Sequence, residues 1–199
     1  MIRLFEKYTL GKKLLILGFG REGRSTYRFV QKYCPGLRVG IADRNPALAQ
    51  ELAGEMMTDQ MHFGDTYLDA IESYDVILKS PGIQLENISG FENGKTWLTQ
   101  TGLFLECFRN QIIGITGTKG KSTTSSLIYH LLKSAKRDAV LVGNIGKPPF
   151  DMLDSIQRNT NIVFELSANQ LEKVSHSPRN SILLNLFPEH LDYFGEVQN

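Results

Sequence analysis

The chain has 199 residues, enough for one large domain or two small ones, and its formal net charge of +1 excludes the basic field typical of nucleic-acid-binding proteins. No apolar run is long enough to span a bilayer, and the N-terminus lacks a signal-peptide core. Two cysteines, Cys34 and Cys107, are too few for a disulfide framework or a zinc site. These features predict a cytoplasmic protein without a membrane or nucleic-acid partner.

The first part of the chain alternates strand and helix patterns. Residues 13–17 predict a buried strand that leads at once into Gly18-Phe-Gly20-Arg-Glu-Gly23, before a predicted helix over 24–33. This is a Gly-x-Gly-x-x-Gly nucleotide-binding fingerprint between strand and helix. The next predicted strand, 38–42, ends at Asp43, about where the fingerprint expects a ribose-binding acid. The alternative is tight glycine packing between strand and helix, with Asp43 as a turn residue.

A third predicted strand, residues 75–79, ends at Ser80-Pro-Gly82. Doubly wound sheets bind ligands at the C-terminal ends of their strands, so this loop is a second candidate contact, although an ordinary turn is the simpler explanation of the loop alone. Residues 1–109 are therefore predicted to form an α/β unit of strand–helix repeats. The remaining helices predicted in this unit are 46–57, 67–73 and 101–108.

The second unit, residues 110–199, begins with the motif on which the functional prediction depends. A predicted buried strand over 111–116 and a predicted helix over 123–135 flank Gly117-Thr-Lys-Gly-Lys-Ser122. Such a loop brings main-chain N–H groups close to phosphate oxygens, and the helix adds the positive end of its dipole. Lys121 can reach the terminal phosphates, and the Ser122 hydroxyl can ligate Mg²⁺. The alternative is a plain surface turn, since glycine next to lysine is common there.

Three later residues could complete this site. Asn144 follows a predicted strand and either offers an amide to a phosphate or acyl oxygen or simply forms a turn. Glu165 ends a predicted strand, where a second Mg²⁺ ligand or a water-orienting group would sit. His190 follows another strand, and beside Glu165 and Ser122 a metal-binding role is favoured over a structural one. The later strands predicted in this unit are 139–142, 161–164 and 181–185.

Four motifs in this order resemble the Mur ligase family of peptidoglycan synthesis. They are Gly117-Thr-Lys-Gly-Lys-Ser122, Gly143-Asn-Ile-Gly146, Glu165-Leu-Ser-Ala-Asn-Gln-Leu-Glu172 and Glu189-His-Leu-Asp192. The resemblance implies a Rossmann-like UDP-sugar-binding domain with a mainly parallel sheet over residues 1–109. The first part of a P-loop ATP-binding α/β domain would follow over residues 110–199. The family's C-terminal amino-acid-binding domain would be absent, so we expect a truncated, inactive piece of a protein that is monomeric at full length.

The resemblance also implies the reaction. It is the ATP-dependent addition of D-glutamate to UDP-N-acetylmuramoyl-L-alanine through an acyl phosphate, with Mg²⁺ as cofactor. Lys121 would stabilise transferred charge, Asn144 would lie near the phosphates and the acyl group, and His190 would hold a second metal ion beside the one bound by Ser122 and Glu165. The implied ATP-binding residues are Gly117, Thr118, Lys119, Gly120, Lys121, Ser122 and Thr123. The implied UDP-sugar-binding residues are Gly20, Arg21, Glu22, Asp43, Arg44, Ser80, Pro81, Gly82 and Asn144.

The chain departs from the family pattern at several positions. Lys119 stands where asparagine is usual, and Arg21 and Glu22 stand where small and apolar residues are expected. Other functions therefore stay open: a UDP-sugar- or nucleotide-binding module without catalysis, or a Mur-type ligase for a different amino acid. An NAD-linked oxidoreductase using the first fingerprint would leave the second loop, Glu165 and His190 without a role. An incomplete central sheet is also expected to expose apolar strand edges and to favour self-association.

Overall fold

The computed structural model describes residues 1–54, 60–84, 88, 90, 94–172 and 174–188. The chain folds into two compact units, Met1–Leu103 and Phe104–Asn199, and each contains a parallel β-sheet with helices. The predicted α/β fold class is therefore confirmed. The functions assigned above to residues 1–109 and 110–199 stay predictions.

The first unit is a doubly wound sheet. Its elements are α1 (Ile2–Thr9), β1 (Leu14–Leu17), α2 (Arg21–Tyr33), β2 (Val39–Asp43), α3 (Leu48–Glu51), β3 (Gln60–Phe63), a 3₁₀ helix (Tyr67–Ser73), β4 (Val76–Lys79), β5 (Thr96–Leu98) and the start of α4 (Gln100–Phe108). The strands lie in the order β3-β2-β1-β4-β5, and all their pairings are parallel. The order reverses between β1 and β4, which is where sheets of this kind bind ligands.

The core of this unit lies on the central strands. All four residues of β1 are buried, as expected for a parallel strand that is covered on both faces. Leu15, Leu17 and Ile77 pack with Ile71 and Tyr74 in one apolar cluster. This packing fixes the ends of β1 and β4, and with them the loops that follow.

The second unit has a four-stranded parallel sheet. Its elements after α4 are β6 (Ile112–Thr116), α5 (Lys121–Ser134), β7 (Ala139–Gly143), a 3₁₀ helix (Pro149–Ser155), β8 (Asn161–Glu165), α6 (Ala168–Leu171) and β9 (Asn180–Leu183). The strand order is β7-β8-β6-β9. Because β6 lies between β8 and β9, the loop after β6 is flanked by the ends of both neighbours. This is the geometric basis of the site described below.

Some local predictions were wrong. The helix predicted over 46–57 is only the four residues of α3, because a turn follows and Gly54 has a left-handed φ of 82°; residues 55–57 lie outside the described part of the chain. The helix predicted over 67–73 is present with these bounds, as a 3₁₀ helix. Five of the described elements were not predicted from the sequence: α1, β3, β5, α6 and the 3₁₀ helix at Pro149–Ser155.

Apolar side chains are exposed on α5 and near the end of β9. Leu127 and Leu131 of α5 are 55% and 58% exposed, and Leu183, Leu186 and Phe187, at and after the end of β9, are 58% to 77% exposed. Among the described helices, none is long and apolar enough to cross a membrane.

Candidate active site: a phosphate loop and a buried carboxylate

The phosphate loop joins the end of β6 to the start of α5. Gly117 and Gly120 have φ values of 136° and 86°, which residues with a side chain rarely adopt. A Cβ at Gly117 would also lie 3.0 Å from the Asn185 carbonyl oxygen. The two glycines are therefore required by the turn itself, as the strand–loop–helix prediction expected.

The first turn of α5 presents main-chain donors. Gly120 is the N-cap, and no side chain in the described part of the chain caps this end. The first intrahelical bond is donated by the Thr124 N–H to the Gly120 carbonyl oxygen (2.9 Å). The N–H groups of residues 121–123 precede that bond, and Ser122 and Thr123 are exposed. Such a helix start is suited to bind a phosphate group.

The Lys121 side chain lies against its own loop. Its Nζ donates to the carbonyl oxygens of Gly117 (2.6 Å) and Thr118 (2.9 Å). The ammonium therefore lies within the loop that joins β6 to α5. It adds a full positive charge to the partial charges of the main-chain donors.

Glu165 is the most unusual charged residue of this unit. It is fully buried at the end of β8, and the register pairs it with Ile115 of β6, just before the phosphate loop. Its Oε1 accepts a hydrogen bond from Asn144 Nδ2 (3.1 Å), but its Oε2 has no hydrogen-bond partner among the described residues. A buried carboxylate oxygen without a donor is costly unless it binds a cation.

This arrangement fits a magnesium ion. Mg²⁺ is typically held by one or two protein oxygens together with substrate phosphates and water, rather than by a full cage of side chains. The described residues contain no group of three or more histidine, cysteine, aspartate or glutamate side chains that could hold a metal. Glu165 Oε2 and the Ser122 hydroxyl are the oxygens that would serve. His190, the predicted ligand of a second ion, lies outside the described residues, as does Glu189.

Asn144 is brought to the same place by the turn after β7. Its main-chain N–H donates to the Glu165 carbonyl oxygen (3.1 Å), in addition to the side-chain bond to Oε1. The chain after Glu165 is fixed as well, because Ser167 and Gln170 cap α6 reciprocally. The structure therefore brings Asn144 and Glu165 together, and the predicted role of Asn144 toward phosphate or acyl oxygens stays a prediction.

In the first unit, the loops after β1 and β4 are packed together. A Cβ at Gly23 would lie 2.1 Å from the Gly18 carbonyl oxygen, so helix and loop touch through the main chain. Ser80 Oγ donates to the same oxygen (2.8 Å), and a Cβ at Gly18 would lie 2.9 Å from Ser80 Cβ. Of the other predicted UDP-sugar contacts, Gly20, Arg21, Arg44 and Gly82 are exposed and Glu22 and Pro81 are half-buried.

Asp43 supports this loop from β2. Its Oδ2 accepts the Phe19 N–H (2.6 Å) and its Oδ1 accepts the Asn45 N–H (2.8 Å). The structural alternative raised for Asp43 and the glycines is thus realised, and the second lone pair of each oxygen leaves capacity for a ribose hydroxyl. Tyr67, which the sequence did not indicate, lies nearby: burial, followed by the charge of Asp43, raises the pKa of its hydroxyl, and Arg44 opposes this.

Comparison with known proteins identifies the family. The family model described as Mur ligase middle domain matches residues 115–199, which contain the phosphate loop, Asn144 and Glu165. Over 201 aligned positions, 98% of this chain, the sequence is 30% identical to the UDP-N-acetylmuramoylalanine–D-glutamate ligase of Clostridium acetobutylicum. The chain belongs to the Mur ligase family.

Other Mur ligases are similar to a comparable degree. The enzyme of the same name from Clostridium botulinum is 31% identical over 98% of this chain, and that from Halalkalibacterium halodurans is 30% identical over 94%. The chain spans 43% of the length of each of these three relatives.

Solved structures of Mur ligases share the fold. Those of a UDP-N-acetylmuramate:L-alanyl-gamma-D-glutamyl-meso-diaminopimelate ligase from Neisseria meningitides and of a UDP-N-acetylmuramate-alanine ligase from Thermotoga maritima both match with a TM-score of 0.50. The first is 18% identical, with 94% of this chain and 64% of that chain covered. The second is 20% identical, with 94% and 44% covered.

Asn185, which contacts the phosphate loop of this Mur ligase, was not predicted from the sequence as a site residue. Its carbonyl oxygen accepts the Thr118 N–H (3.0 Å), and its side chain binds both main-chain groups of Lys119. It follows β9, and the C-terminal ends of parallel strands share one edge of a sheet. That rule, applied to the strand beside β6, could have indicated it.

The turn that presents Asn144 should not tolerate a side chain at Gly143. The φ of Gly143 is 106°, and a Cβ there would lie 2.2 Å from the Glu165 carbonyl oxygen. We expect Gly143→Ala to lower the free energy of unfolding by about 3 kcal/mol or more, since strain and a main-chain clash add. Urea unfolding measures this loss.

Gly36→Ala is the matched control for this prediction. Gly36 lacks a positive φ, and a Cβ there would meet no atom within 4 Å. Its free energy of unfolding should change by less than about 1 kcal/mol. An equal, small effect of both substitutions would contradict the tight packing of Gly143 against β8.

Proposed function

We propose that this chain carries the ATP-binding and UDP-sugar-binding sites of an ATP-dependent amide-bond ligase, which adds D-glutamate to UDP-N-acetylmuramoyl-L-alanine. The observation that carries the proposal is the buried Glu165 with its unpartnered Oε2, one strand away from a phosphate loop. Membership of the Mur ligase family and the names of the three relatives support the choice of reaction. Cytoplasmic location is part of the proposal, since the substrates are metabolites of the cell interior.

In the proposed reaction, the substrate carboxylate attacks the γ-phosphorus of ATP, and the bond from that phosphorus to the β,γ-bridging oxygen breaks. The products of this step are an acyl phosphate and ADP. The amine of D-glutamate then attacks the acyl carbon, phosphate leaves, and the amine loses a proton to give the amide. The first step depends mainly on positioning and charge neutralisation. Mg²⁺, when bound, would supply part of that neutralisation.

The residues of the second unit divide this work. The N–H groups of residues 121–123 and the Lys121 ammonium bind the phosphates and stabilise the charge that develops on them. Ser122 and Glu165 would hold the metal ion. Asn144 fixes Glu165 through its side-chain amide. Because Asn144 is exposed, it would also lie near the phosphates and the acyl group.

In the first unit, the loop formed by residues 18–23 would bind the UDP diphosphate at the start of α2. Gly20 is the N-cap of α2, and no side chain in the described part of the chain caps it. Asp43 would accept a ribose hydroxyl, and the Ser80-Pro81-Gly82 turn would lie beside the ligand. Arg21, Glu22 and Arg44 complete the proposed contacts.

Isothermal titration calorimetry tests the two binding sites separately. We expect the chain to bind UDP-N-acetylmuramoyl-L-alanine, and to bind MgATP more tightly than ATP in EDTA. Failure to bind MgATP would overturn the proposed ATP site, and failure to bind the UDP-sugar would overturn the proposed UDP-sugar site of the first unit. Tight binding of NADH, seen as a change in its fluorescence, would instead favour an oxidoreductase.

Phosphate release tests the reaction. In the ligase that we propose, release requires MgATP, UDP-N-acetylmuramoyl-L-alanine and D-glutamate together. Replacing D-glutamate with L-alanine or L-lysine identifies a Mur-type ligase with another amino-acid substrate. Binding of both nucleotides without phosphate release would limit the function of this chain to binding.

A further inference from the structure

The phosphate loop is held by a segment that follows β9. Asn185 Oδ1 accepts the Lys119 N–H (2.8 Å), and Asn185 Nδ2 donates to the Lys119 carbonyl oxygen (3.0 Å). The Asn185 carbonyl oxygen accepts the Thr118 N–H (3.0 Å). One asparagine thus binds main-chain groups of two consecutive loop residues, Thr118 and Lys119, the second of which lies 66 residues earlier in the chain.

A second residue of the segment repeats the pattern. Phe187 N–H donates to Thr118 Oγ1 (2.9 Å), and the same hydroxyl donates to the Phe187 carbonyl oxygen (3.2 Å). Gly117 is in close approach as well, because a Cβ there would lie 3.0 Å from the Asn185 carbonyl oxygen. Residues 117–119 are therefore fixed to residues 185–187 by both main chain and side chains.

These bonds divide the donors of the loop into two sets. The N–H groups of Thr118 and Lys119 are directed at Asn185, so they serve the structure of the loop. The N–H groups of residues 121–123, at the uncapped start of α5, are left for phosphate. The bonds of Asn185 therefore separate the donors that hold the loop from those at the start of α5.

We propose that Asn185 is a positioning residue for the phosphate loop: by binding the Lys119 peptide at both ends, it holds the loop in the conformation that receives the phosphates of the nucleotide. This inference rests on the proposed ATP site and adds a residue to it. Asn185 itself touches no reacting atom. Its effect should therefore depend on the phosphates of the ligand and be independent of the UDP-sugar.

The test compares wild type with Asn185→Ala and Asn185→Asp. The first removes both side-chain bonds to Lys119, and the second keeps the acceptor for the N–H but places an oxygen against the carbonyl. Asn180→Ala is the matched control, since Asn180 is exposed at the other end of β9. Calorimetry then measures MgATP, MgADP, adenosine and UDP-N-acetylmuramoyl-L-alanine with each variant.

Both Asn185 variants should bind MgATP and MgADP roughly tenfold more weakly than wild type. Asn185→Ala loses both side-chain bonds to Lys119, and Asn185→Asp loses one and places two oxygens against each other. Binding of adenosine and of the UDP-sugar should be unchanged, a separation that a general loss of stability would not produce. Asn180→Ala should match wild type. Unchanged MgATP affinity in Asn185→Ala, or an equal loss for every ligand, would overturn the proposal.

A second measurement does not need nucleotide. Amide hydrogen exchange of residues 117–121 should be at least roughly tenfold faster in Asn185→Ala than in wild type, with the exchange of β6 unchanged, because the loop loses its attachment. Equal exchange in both proteins would overturn the positioning role. If wild type does not bind MgATP, but exchange is still faster in Asn185→Ala than in wild type, the proposed ATP site is refuted. Asn185 would then only stabilise the structure of the loop.

Discussion

Replacing Lys121 with alanine is expected to weaken MgATP binding by at least roughly tenfold, because the phosphate loop loses the ammonium group that lies at the Gly117 and Thr118 carbonyl oxygens. In the proposed ligase reaction the loss should be larger, roughly two to three orders of magnitude in turnover, since the ammonium stabilises charge that develops on the transferred phosphoryl group. Calorimetry and phosphate release measure the two effects.

Lys133→Ala is the control for the Lys121 variant. Lys133 lies in the last turn of the same helix, roughly 18 Å along the axis from Lys121. Both substitutions remove a lysine side chain from α5, but only Lys121→Ala removes one that contacts the phosphate loop. Similar MgATP affinities for both variants would contradict the assignment of this loop to phosphate.

Replacing Glu165 with glutamine is expected to have two opposite effects. It should abolish most of the difference between MgATP and ATP in EDTA, because a neutral amide is a poor ligand for Mg²⁺. It should also raise the free energy of unfolding in EDTA, by about 1 kcal/mol or more, since an unpartnered buried carboxylate oxygen is replaced by a neutral group. Urea unfolding in EDTA and calorimetry with and without Mg²⁺ measure these changes.

Glu106→Gln is the control for the Glu165 variant. Glu106 lies in α4, which precedes the start of β6, whereas the phosphate loop follows the end of β6. It should leave the Mg²⁺ dependence of ATP binding intact. Glu165 would lose its role in metal binding if the glutamine variant kept that dependence. A fall in stability in EDTA would show instead that the carboxylate is paired in solution.

The motifs that the sequence predicted best are those in which a strand, a loop and a helix follow one another directly. The fingerprint between β1 and α2 and the loop between β6 and α5 are of this kind, because glycines at left-handed φ and buried apolar strands leave local signals. The alternation of these elements was enough to predict the α/β class and parallel sheets.

The residues that the sequence did not reveal act across long separations. Asn185 binds a peptide group 66 residues earlier, and nothing in the residues around it indicates that partner. The pairing of Glu165 with Ile115 likewise depends on the order β8-β6, which periodicity does not determine. The helix predicted over 46–57 failed for the opposite reason, since a local pattern was interrupted at Gly54.

The close packing of Gly18, Gly23 and Ser80 in the first unit has a consequence for tolerance to mutation. The loop after β1 is shaped by main-chain contacts, by Ser80 and by Asp43. A preorganised loop also loses little conformational entropy when a ligand binds. Substitutions at Gly18 or Gly23 should therefore be tolerated far less well than a substitution at Gly20, where a Cβ would meet no atom within 4 Å.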